Sequence, residues 1–201
     1  MATEGSQLEA WRGGDLSAGN SLFETHYRAV YRFFRGRVSG EVDDLVQSTF
    51  ARCAASKEKL TEDGTFRSYV FAVARNVLRE HYRATRREGL VVELGSMSVA
   101  DLGVTPTGIL AKRDEERLLL EALRTIPLDH QIAIELSYWE GLTAKELARV
   151  LDVPVGTAKT RLRTARKALE ARLAQLAASP EMLESTLGDL QRWSSGLRDQ
   201  F

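Results

Sequence analysis

The stretch Thr143–Leu169, TAKELARVLDVPVGTAKTRLRTARKAL, contains start and stop signals for two successive helices. Thr143 and Glu146 stand three residues apart, the spacing of a capping box, in which each side chain satisfies the free backbone N–H of the other residue. Pro154 cannot donate a backbone hydrogen bond, so we predict a short first helix ending near Asp152, a tight turn and a second helix. Two helices joined in this way form a helix-turn-helix.

The second of these helices has an apolar side and a basic side. Between positions 156 and 171 only Glu170 is acidic, whereas a solvated surface helix would show mixed charges at i and i+4. Arginine can donate to guanine edges, and lysine and threonine can hold phosphates. The residues predicted to pack, at helical spacing, are Ala158, Leu162, Ala165 and Leu169. The residues predicted to contact DNA are Thr143, Lys145, Val155, Thr157, Lys159, Thr160, Arg161, Arg163 and Thr164.

This local charge is not shared by the whole chain. The 201 residues include 28 lysines and arginines and 28 aspartates and glutamates, so the formal net charge is zero and attraction to a polyanion depends on the local field. No apolar run approaches the roughly 18–20 residues of a membrane span, and the N-terminus lacks the pattern of a signal peptide. Cys53 is the single cysteine, which excludes an internal disulfide and fits a cytoplasmic location.

The rest of the chain also has helical periodicity, which predicts an all-α fold of two small helical domains joined by a flexible linker, plus a C-terminal helix. Apolar stripes at helical spacing run through Phe23–Val38, Val42–Cys53 and Phe66–Leu78. Residues 89–94 are the best strand candidate, but a lone strand cannot satisfy its backbone groups. We therefore predict a first domain at 8–88, a linker at 89–108, a second domain at 109–177 and an extension at 178–201.

The extension begins with Ser179, Pro180 and Glu181, a helix-start pattern, and continues with a leucine stripe that has Trp193 nearby. Two destinations are open for this helix. It packs on the second domain and enlarges a small core, or it holds the two DNA-binding surfaces in a closed arrangement until polymerase displaces it.

Four segments of the chain resemble bacterial RNA polymerase sigma factors of the extracytoplasmic-function type. GLTAKELARVLDVPVGTAKTRLRTARKALEARL (141–173) resembles their region-four helix-turn-helix. LFETHYRAVYRFFRGRV (22–38), DDLVQSTFARC (43–53) and GTFRSYVFAVARNVLREHYRATRR (64–87) resemble successive pieces of region two. A helix-turn-helix alone is weakly specific, but this two-part combination without region three is highly specific.

The resemblance implies a subunit that binds core RNA polymerase, recognises and melts promoter DNA, and initiates transcription. Its second domain would read the minus-thirty-five element, its linker would thread through a polymerase channel, and its polymerase partners would be the beta-prime clamp helices and the beta flap. An anti-sigma factor is a candidate regulator. The residues implied to dock on the clamp helices are Asp44, Leu45, Gln47 and Ser48, with Phe50 in the core. Those implied to contact the minus-ten element are Arg75, Asn76, Arg79, Tyr82, Arg83 and Arg86.

Other function classes are less consistent with the sequence. His26, His81 and His130 are far apart, no Cys/His spacing predicts zinc, and no glycine-rich phosphate loop follows a strand, so we expect no enzyme activity, metal or cofactor. The main alternative is a stand-alone regulator with a LuxR-like helix-turn-helix and a sensing N-terminal half. A phosphoreceiver would alternate strands with helices and bury acids, and that pattern does not appear.

Overall fold

The computed structural model describes residues 3–57, 65–85, 94–101 and 114–188. Within these ranges the chain forms nine α-helices and one short 3-10 turn, and the only β-type pairing is an isolated bridge between Ser98 and Pro127. The predicted all-α fold is confirmed. No helix in the described ranges is long and apolar enough to cross a bilayer. The chain divides into two compact units, Met1–Arg87 and Glu88–Phe201.

Four helices form in the part of the first unit that the structure describes: α1 (Glu4–Arg12), α2 (Leu16–Arg35), α3 (Val42–Ala55) and α4 (Phe66–Thr85). Side chains just before the first two helices satisfy backbone donors that would otherwise lack partners. Thr3 accepts a hydrogen bond from the Ser6 N–H, and Asp15 accepts from the N–H groups of Ser17 and Ala18. These caps fix where α1 and α2 begin, and α1 then packs against α2 and α4.

Aromatic rings join the helices of the first unit. The ring of Phe66, at the start of α4, has its centroid 5.7 Å from Trp11 of α1 and 5.9 Å from Phe23 of α2. Phe23 in turn lies 4.9 Å from Phe50 of α3. A side chain at Gly19 would place its Cβ only 2.4 Å from the Trp11 ring, so this glycine permits the close packing of α1 on α2. The α1 helix, which precedes the first segment that resembles region two, is therefore part of this core.

A buried arginine lies just after the end of α2 and connects this helix to α4. Arg37 is fully buried, donates to the Phe33 carbonyl at 2.6 Å and has its guanidinium 4.4 Å from the Phe33 ring centroid. The Tyr82 hydroxyl of α4 donates to the Arg37 carbonyl. The hydrogen bond to Phe33 helps to satisfy the buried guanidinium within α2, and the bond from Tyr82 fixes the end of α2 against α4.

The described residues of the second unit form five helices: α5 (Asp114–Thr125), α6 (Leu128–Tyr138), α7 (Ala144–Leu151), α8 (Val155–Leu176) and α9 (Pro180–Gly188). The long α8 helix packs against α5, α6 and α7, and its buried residues complete the core of the unit. That core includes Leu119, Leu123, Ile134, Ala165 and Leu169, all of which are almost entirely buried.

Part of the predicted linker has a defined structure in the second unit. Leu94–Ser96 forms the 3-10 turn, and Val99 is fully buried. The Leu128 N–H donates to the Met97 carbonyl at 2.7 Å, and the Ala100 N–H donates to the Arg124 carbonyl at 3.0 Å. Residues 94–101 therefore lie against the junction of α5 and α6, whereas positions 89–93 and 102–108 are outside the described residues.

The C-terminal helix α9 packs on α5 and α8 of its own unit. Ser179 caps it by accepting from the Met182 N–H at 3.2 Å, as the sequence pattern predicts. Met182 and Leu183 pack against the core, and Thr186 is buried. Residues 189–201, which include Trp193, are outside the described residues. The described part of the extension thus enlarges the core of the second unit.

We predict that deletion after Ala178 lowers the melting temperature of the protein by several degrees. The deletion uncovers core surface now covered by Met182 and Leu183, and loss of these half-buried contacts costs about 2 kcal/mol. Circular dichroism melts measure the effect, with deletion of 189–201 alone as the matched control. An unchanged melting temperature with increased promoter-dependent transcription would favour the regulatory alternative.

We also predict that the Cys53 thiol is unreactive in the folded protein. The side chain is fully buried, and burial raises its pKa to about 12, so almost no thiolate is present at pH 8. Iodoacetamide should label Cys53 only at the rate at which the first unit opens. The control is Ala54→Cys combined with Cys53→Ser, which places a thiol at the neighbouring exposed position. Equal labelling rates for the two proteins would contradict the assignment.

Candidate nucleic-acid interface

The helix-turn-helix of the second unit begins with a complete capping box. The Thr143 N–H donates to the Glu146 carboxylate at 2.8 Å, and the Glu146 N–H donates to the Thr143 hydroxyl oxygen at 3.3 Å. The predicted capping box is confirmed. It fixes the start of α7, the helix that precedes the basic helix α8.

The turn between α7 and α8 depends on one strained backbone position. Asp152 adopts the left-handed conformation, with φ 55° and ψ 54°, which asparagine and aspartate tolerate better than most residues. Its N–H donates back to carbonyls at the end of α7, so α7 ends here. Pro154 then precedes α8 and provides no side-chain cap. The first N–H groups of α8 can therefore donate to a phosphate, as at other helix N-termini.

The two sides of α8 differ as the sequence predicts. Ala158, Ala165, Leu169 and Leu173 are buried, while Leu162 is half-buried against the same core. The opposite surface is exposed, and it carries Lys159, Thr160, Arg163, Thr164, Arg166 and Lys167. The burial of the apolar side therefore turns the basic side outward.

Two arginines of α8 form ion pairs. Arg166 Nε lies 2.9 Å from the Glu170 carboxylate on the exposed surface, and the hydrogen bond to Glu170 raises the pKa of Arg166. Arg161 Nη1 lies 3.1 Å from Asp129 Oδ2 of α6. Both side chains of the second pair are largely buried, with exposed fractions of 26% for Arg161 and 17% for Asp129. Arg161 therefore faces α6 more than it faces solvent.

Most of the predicted DNA-contacting residues of the second unit are accessible. The hydroxyl of Thr143 also donates to Glu146, and that of Thr160 donates to the Gly156 carbonyl. Arg161 is the exception, because most of its side chain is buried in the ion pair with Asp129. The exposed members of the set are Thr143, Lys145, Val155, Thr157, Lys159, Thr160, Arg163 and Thr164.

The corresponding set on α4 divides into exposed and buried residues. Asn76 and Arg83 are exposed, Arg79 is half-buried, and Arg86 is outside the described residues. Tyr82 is 4% exposed, and its hydroxyl donates to the Arg37 carbonyl, so the prediction that it contacts DNA is corrected: it belongs to the core. Arg75 is also buried, and the same correction applies to it.

The predicted polymerase-docking residues on α3 also differ in their exposure to solvent. Asp44 and Gln47 are exposed, and Ser48 is half-buried. Leu45 is buried in the core, so it cannot provide a direct docking contact in this conformation. The residue that precedes the helix is Glu41, in the left-handed conformation and without a side-chain cap. Asp43 and Asp44 lie in the first turn of α3, and neither of them is its N-cap.

An apolar groove beside α3 was not predicted from the sequence. It has a volume of about 590 Å³, lies between α2 and α3, and is lined in part by Phe23, Val46 and Phe50. Tyr27 stands at its edge with 44% of its surface exposed, and its hydroxyl donates to Asp43 at 3.4 Å. Desolvation and the Asp43 charge raise the pKa of Tyr27. Tyr27 lies on the apolar stripe predicted for Phe23–Val38. Sequence spacing alone, however, does not show which part of such a stripe the neighbouring helices cover.

Comparisons with known protein families match both units. Residues 22–88 match the family model of sigma-70 region 2, and residues 116–169 match that of sigma-70 region 4. Together the two regions account for more than half of the chain. The first match contains α3 and α4, and the second contains the helix-turn-helix.

Curated relatives span nearly the whole chain. The chain is 26% identical over 185 residues to the ECF RNA polymerase sigma-E factor of Haemophilus influenzae, covering 87% of this chain and 97% of that protein. It is 23% identical over 172 residues to the ECF RNA polymerase sigma-E factor of Escherichia coli K12, covering 81% and 90% of the two chains.

Two solved structures share the fold. CnrH, in complex with the cytosolic domain of CnrY, is 23% identical, with a TM-score of 0.62 over 87% of this chain and 99% of that one. The sigma factor RpoE of Bartonella quintana, in complex with the anti-sigma factor NepR, is 20% identical, with a TM-score of 0.54 over 80% and 97%. With both sigma-70 regions present in order, and relatives that match along nearly their full length, the chain belongs to the extracytoplasmic-function sigma factors of the sigma-70 family, the promoter-specificity subunits of RNA polymerase.

Proposed function

We propose that this sigma factor binds core RNA polymerase through α3 and reads promoter DNA through α8 and the exposed part of α4. The observation that carries the proposal is the exposed basic surface of α8, which stands opposite a fully packed face in a helix-turn-helix. The protein acts by binding and positioning, without catalysing a reaction, and it works in the cytoplasm, where bacterial transcription takes place.

The minus-thirty-five element is assigned to the second unit. A helix of this kind lies in the major groove with residues of its first turns near the base edges. Lys159 and Arg163 are exposed there, and within the described residues no carboxylate forms an ion pair with either of them. Thr157, Thr160 and Thr164 add hydroxyl groups on the same helix. This combination provides base donors and phosphate contacts together.

The minus-ten element is assigned to the first unit. Asn76 and Arg83 are exposed on α4, and Arg79 lies half-buried between them. An amide with cationic neighbours suits single-stranded DNA, since backbone phosphates and base edges are then both within reach. Arg86 remains a proposed contact from the resemblance, whereas Arg75 and Tyr82 are assigned to the core.

Polymerase docking is assigned to the exposed side of α3 and the adjoining groove. Asp44, Gln47 and Ser48 provide polar contacts, and Gln47 also lines the apolar groove between α2 and α3. An apolar floor with a polar rim is the usual composition of a protein interface. The partner surface is the beta-prime clamp helices, and the beta flap is the partner proposed for the second unit. An anti-sigma factor is the proposed regulator.

The stand-alone regulator is not favoured. A LuxR-like protein would need a sensing domain in the N-terminal half, and residues 22–88 instead match sigma-70 region 2. Co-purification with core polymerase followed by run-off transcription separates the two functions, because only a sigma factor gives a specific transcript.

We predict that Arg163→Ala and Lys159→Ala each weaken binding of the upstream promoter element. Loss of a base-reading arginine should cost roughly 1–3 kcal/mol and relax specificity at one position, whereas loss of a phosphate contact should weaken all sequences alike. Footprinting of the assembled holoenzyme on the chain's own upstream region measures both effects. The control is Arg172→Ala, an exposed arginine near the other end of α8. Footprints that match the control would remove α8 from the recognition role.

We predict that Asp44→Ala combined with Gln47→Ala abolishes co-elution with core polymerase and leaves the melting temperature unchanged. Both side chains are exposed, so the double variant should not disturb the core. The matched control, Glu9→Ala with Asn20→Ala, removes an exposed acid and an exposed amide from α1 and α2. We exclude Leu45 from the test because truncation of a buried leucine would itself lower stability. Co-elution at the level of the control would show that docking lies elsewhere.

A further inference from the structure

Three elements of the second unit meet at the carboxylate of Asp129, in the first turn of α6. Arg161 of the recognition helix α8 approaches Asp129 Oδ2 at 3.1 Å, and both side chains are largely buried. The two residues are 32 positions apart in the sequence, so this ion pair joins α8 to α6 across the packed unit. The pair differs from Arg166–Glu170, which lies on the surface within one turn of α8.

The third element is the docked segment Leu94–Asp101. A Cβ added to Gly95 would lie 2.5 Å from Asp129 Oδ2 and 2.8 Å from its Cγ, so the glycine backbone passes directly beside the carboxylate. Two residues later, Met97 accepts a hydrogen bond from the Leu128 N–H, the residue before Asp129. The segment is therefore hydrogen-bonded to the backbone at the start of α6 and lies against the side chain of Asp129.

The neighbouring His130 does not compete for this carboxylate. Burial lowers its pKa, the charge of Arg161 lowers it further, and the charge of Asp129 offsets only part of this shift. The net shift favours the neutral imidazole, and Arg161 is the cation that pairs with Asp129.

We propose that Arg161 is a positioning residue of the recognition helix: Asp129 holds its guanidinium, and the segment Leu94–Asp101 holds Asp129. Docking of this segment then sets the orientation in which α8 presents Lys159 and Arg163 to the base edges. The proposal rests on the proposed function of α8 and replaces the predicted direct DNA contact of Arg161. Residues 94–101 of the predicted linker thus belong to the second unit, which reads the minus-thirty-five element.

The physical basis is the difference between attraction to DNA and reading of its bases. Phosphate attraction depends on charge and tolerates small changes of orientation, whereas a base contact requires donors placed in register with one base pair. A small rotation of α8 should therefore reduce discrimination between sequences and leave the general affinity for DNA nearly unchanged.

The experiment uses the full chain assembled with core RNA polymerase and a promoter library randomised over the upstream element. Asp129→Asn removes the charge that holds Arg161. Gly95→Ala displaces the same carboxylate from the segment side, because the added Cβ would lie within 3 Å of both Oδ2 and Cγ of Asp129. The matched control is Glu170→Gln, which removes the acidic partner of a different arginine on the same helix. Melting temperatures confirm that each variant is folded.

We expect both variants to lose discrimination at the upstream element on the order of tenfold, the size of one misplaced base contact. The control should select the same sequences as the wild-type protein. The salt dependence of binding gives a second readout, which a DNA-contacting arginine would change. Arg161→Ala should leave the slope unchanged, whereas loss of a phosphate contact lowers it by about one unit.

If Asp129→Asn and Gly95→Ala both select the same upstream sequences as the wild-type protein, the inference is overturned and the proposed function stands. A salt slope lowered by Arg161→Ala also overturns it, because Arg161 would then contact phosphate itself. The salt dependence of the Arg161→Ala variant still tests the inference if Asp129→Asn or Gly95→Ala fails to fold. A wild-type holoenzyme that selects no upstream sequence overturns the proposed function and the inference together.

Discussion

The burial of one side of α8 is the constraint on which the second unit depends. Ala158 and Ala165 are small enough for neighbouring helices to approach closely, and Leu169 and Leu173 extend the contact along the helix. Because a helix has a fixed periodicity, burying this side leaves the basic side facing outward. The capping box and the left-handed turn at Asp152 then determine where that surface begins. The core of the unit and its DNA-binding surface are thus two consequences of one packing arrangement.

In the first unit, too, packing of the core determines which polar residues face outward, but this core is mainly aromatic. Aromatic rings from four helices form its centre, and large rings bury much apolar area at each contact. When α3 buries Leu45 and Phe50, Asp44 and Gln47 are turned outward. The rings do not fill the space between α2 and α3, and the remaining groove borders those exposed polar residues. Packing of the core therefore places a polar rim beside an apolar floor.

Periodicity and local signals predicted most of the fold. The helical class, the capping box and the opposed sides of α8 all depend on residues close together in sequence, so local patterns suffice for them. Two of the errors concern residues of α4 that lie beside its apolar stripe. Tyr82 and Arg75 have polar ends that suit either DNA or a buried hydrogen bond, and only the neighbouring helices decide between these. The docked segment at residues 94–101 has no periodicity, and its contacts come from the distant junction of α5 and α6.

Non-specific attraction to DNA and recognition of its bases also depend on different sets of residues in this protein. Attraction depends on residues close together in sequence, and recognition depends on contacts with distant ones. The basic residues of α8 lie close together in sequence and create a positive field in a chain whose net charge is zero. The field alone draws any DNA to the helix and carries no sequence information. Recognition needs the helix held at a fixed angle, and the contacts that hold it, from Asp129 and the segment around Gly95, come from residues more than 30 positions away. The affinity of α8 for DNA thus follows from its own composition, whereas the specificity of α8 depends on the packing of the whole second unit.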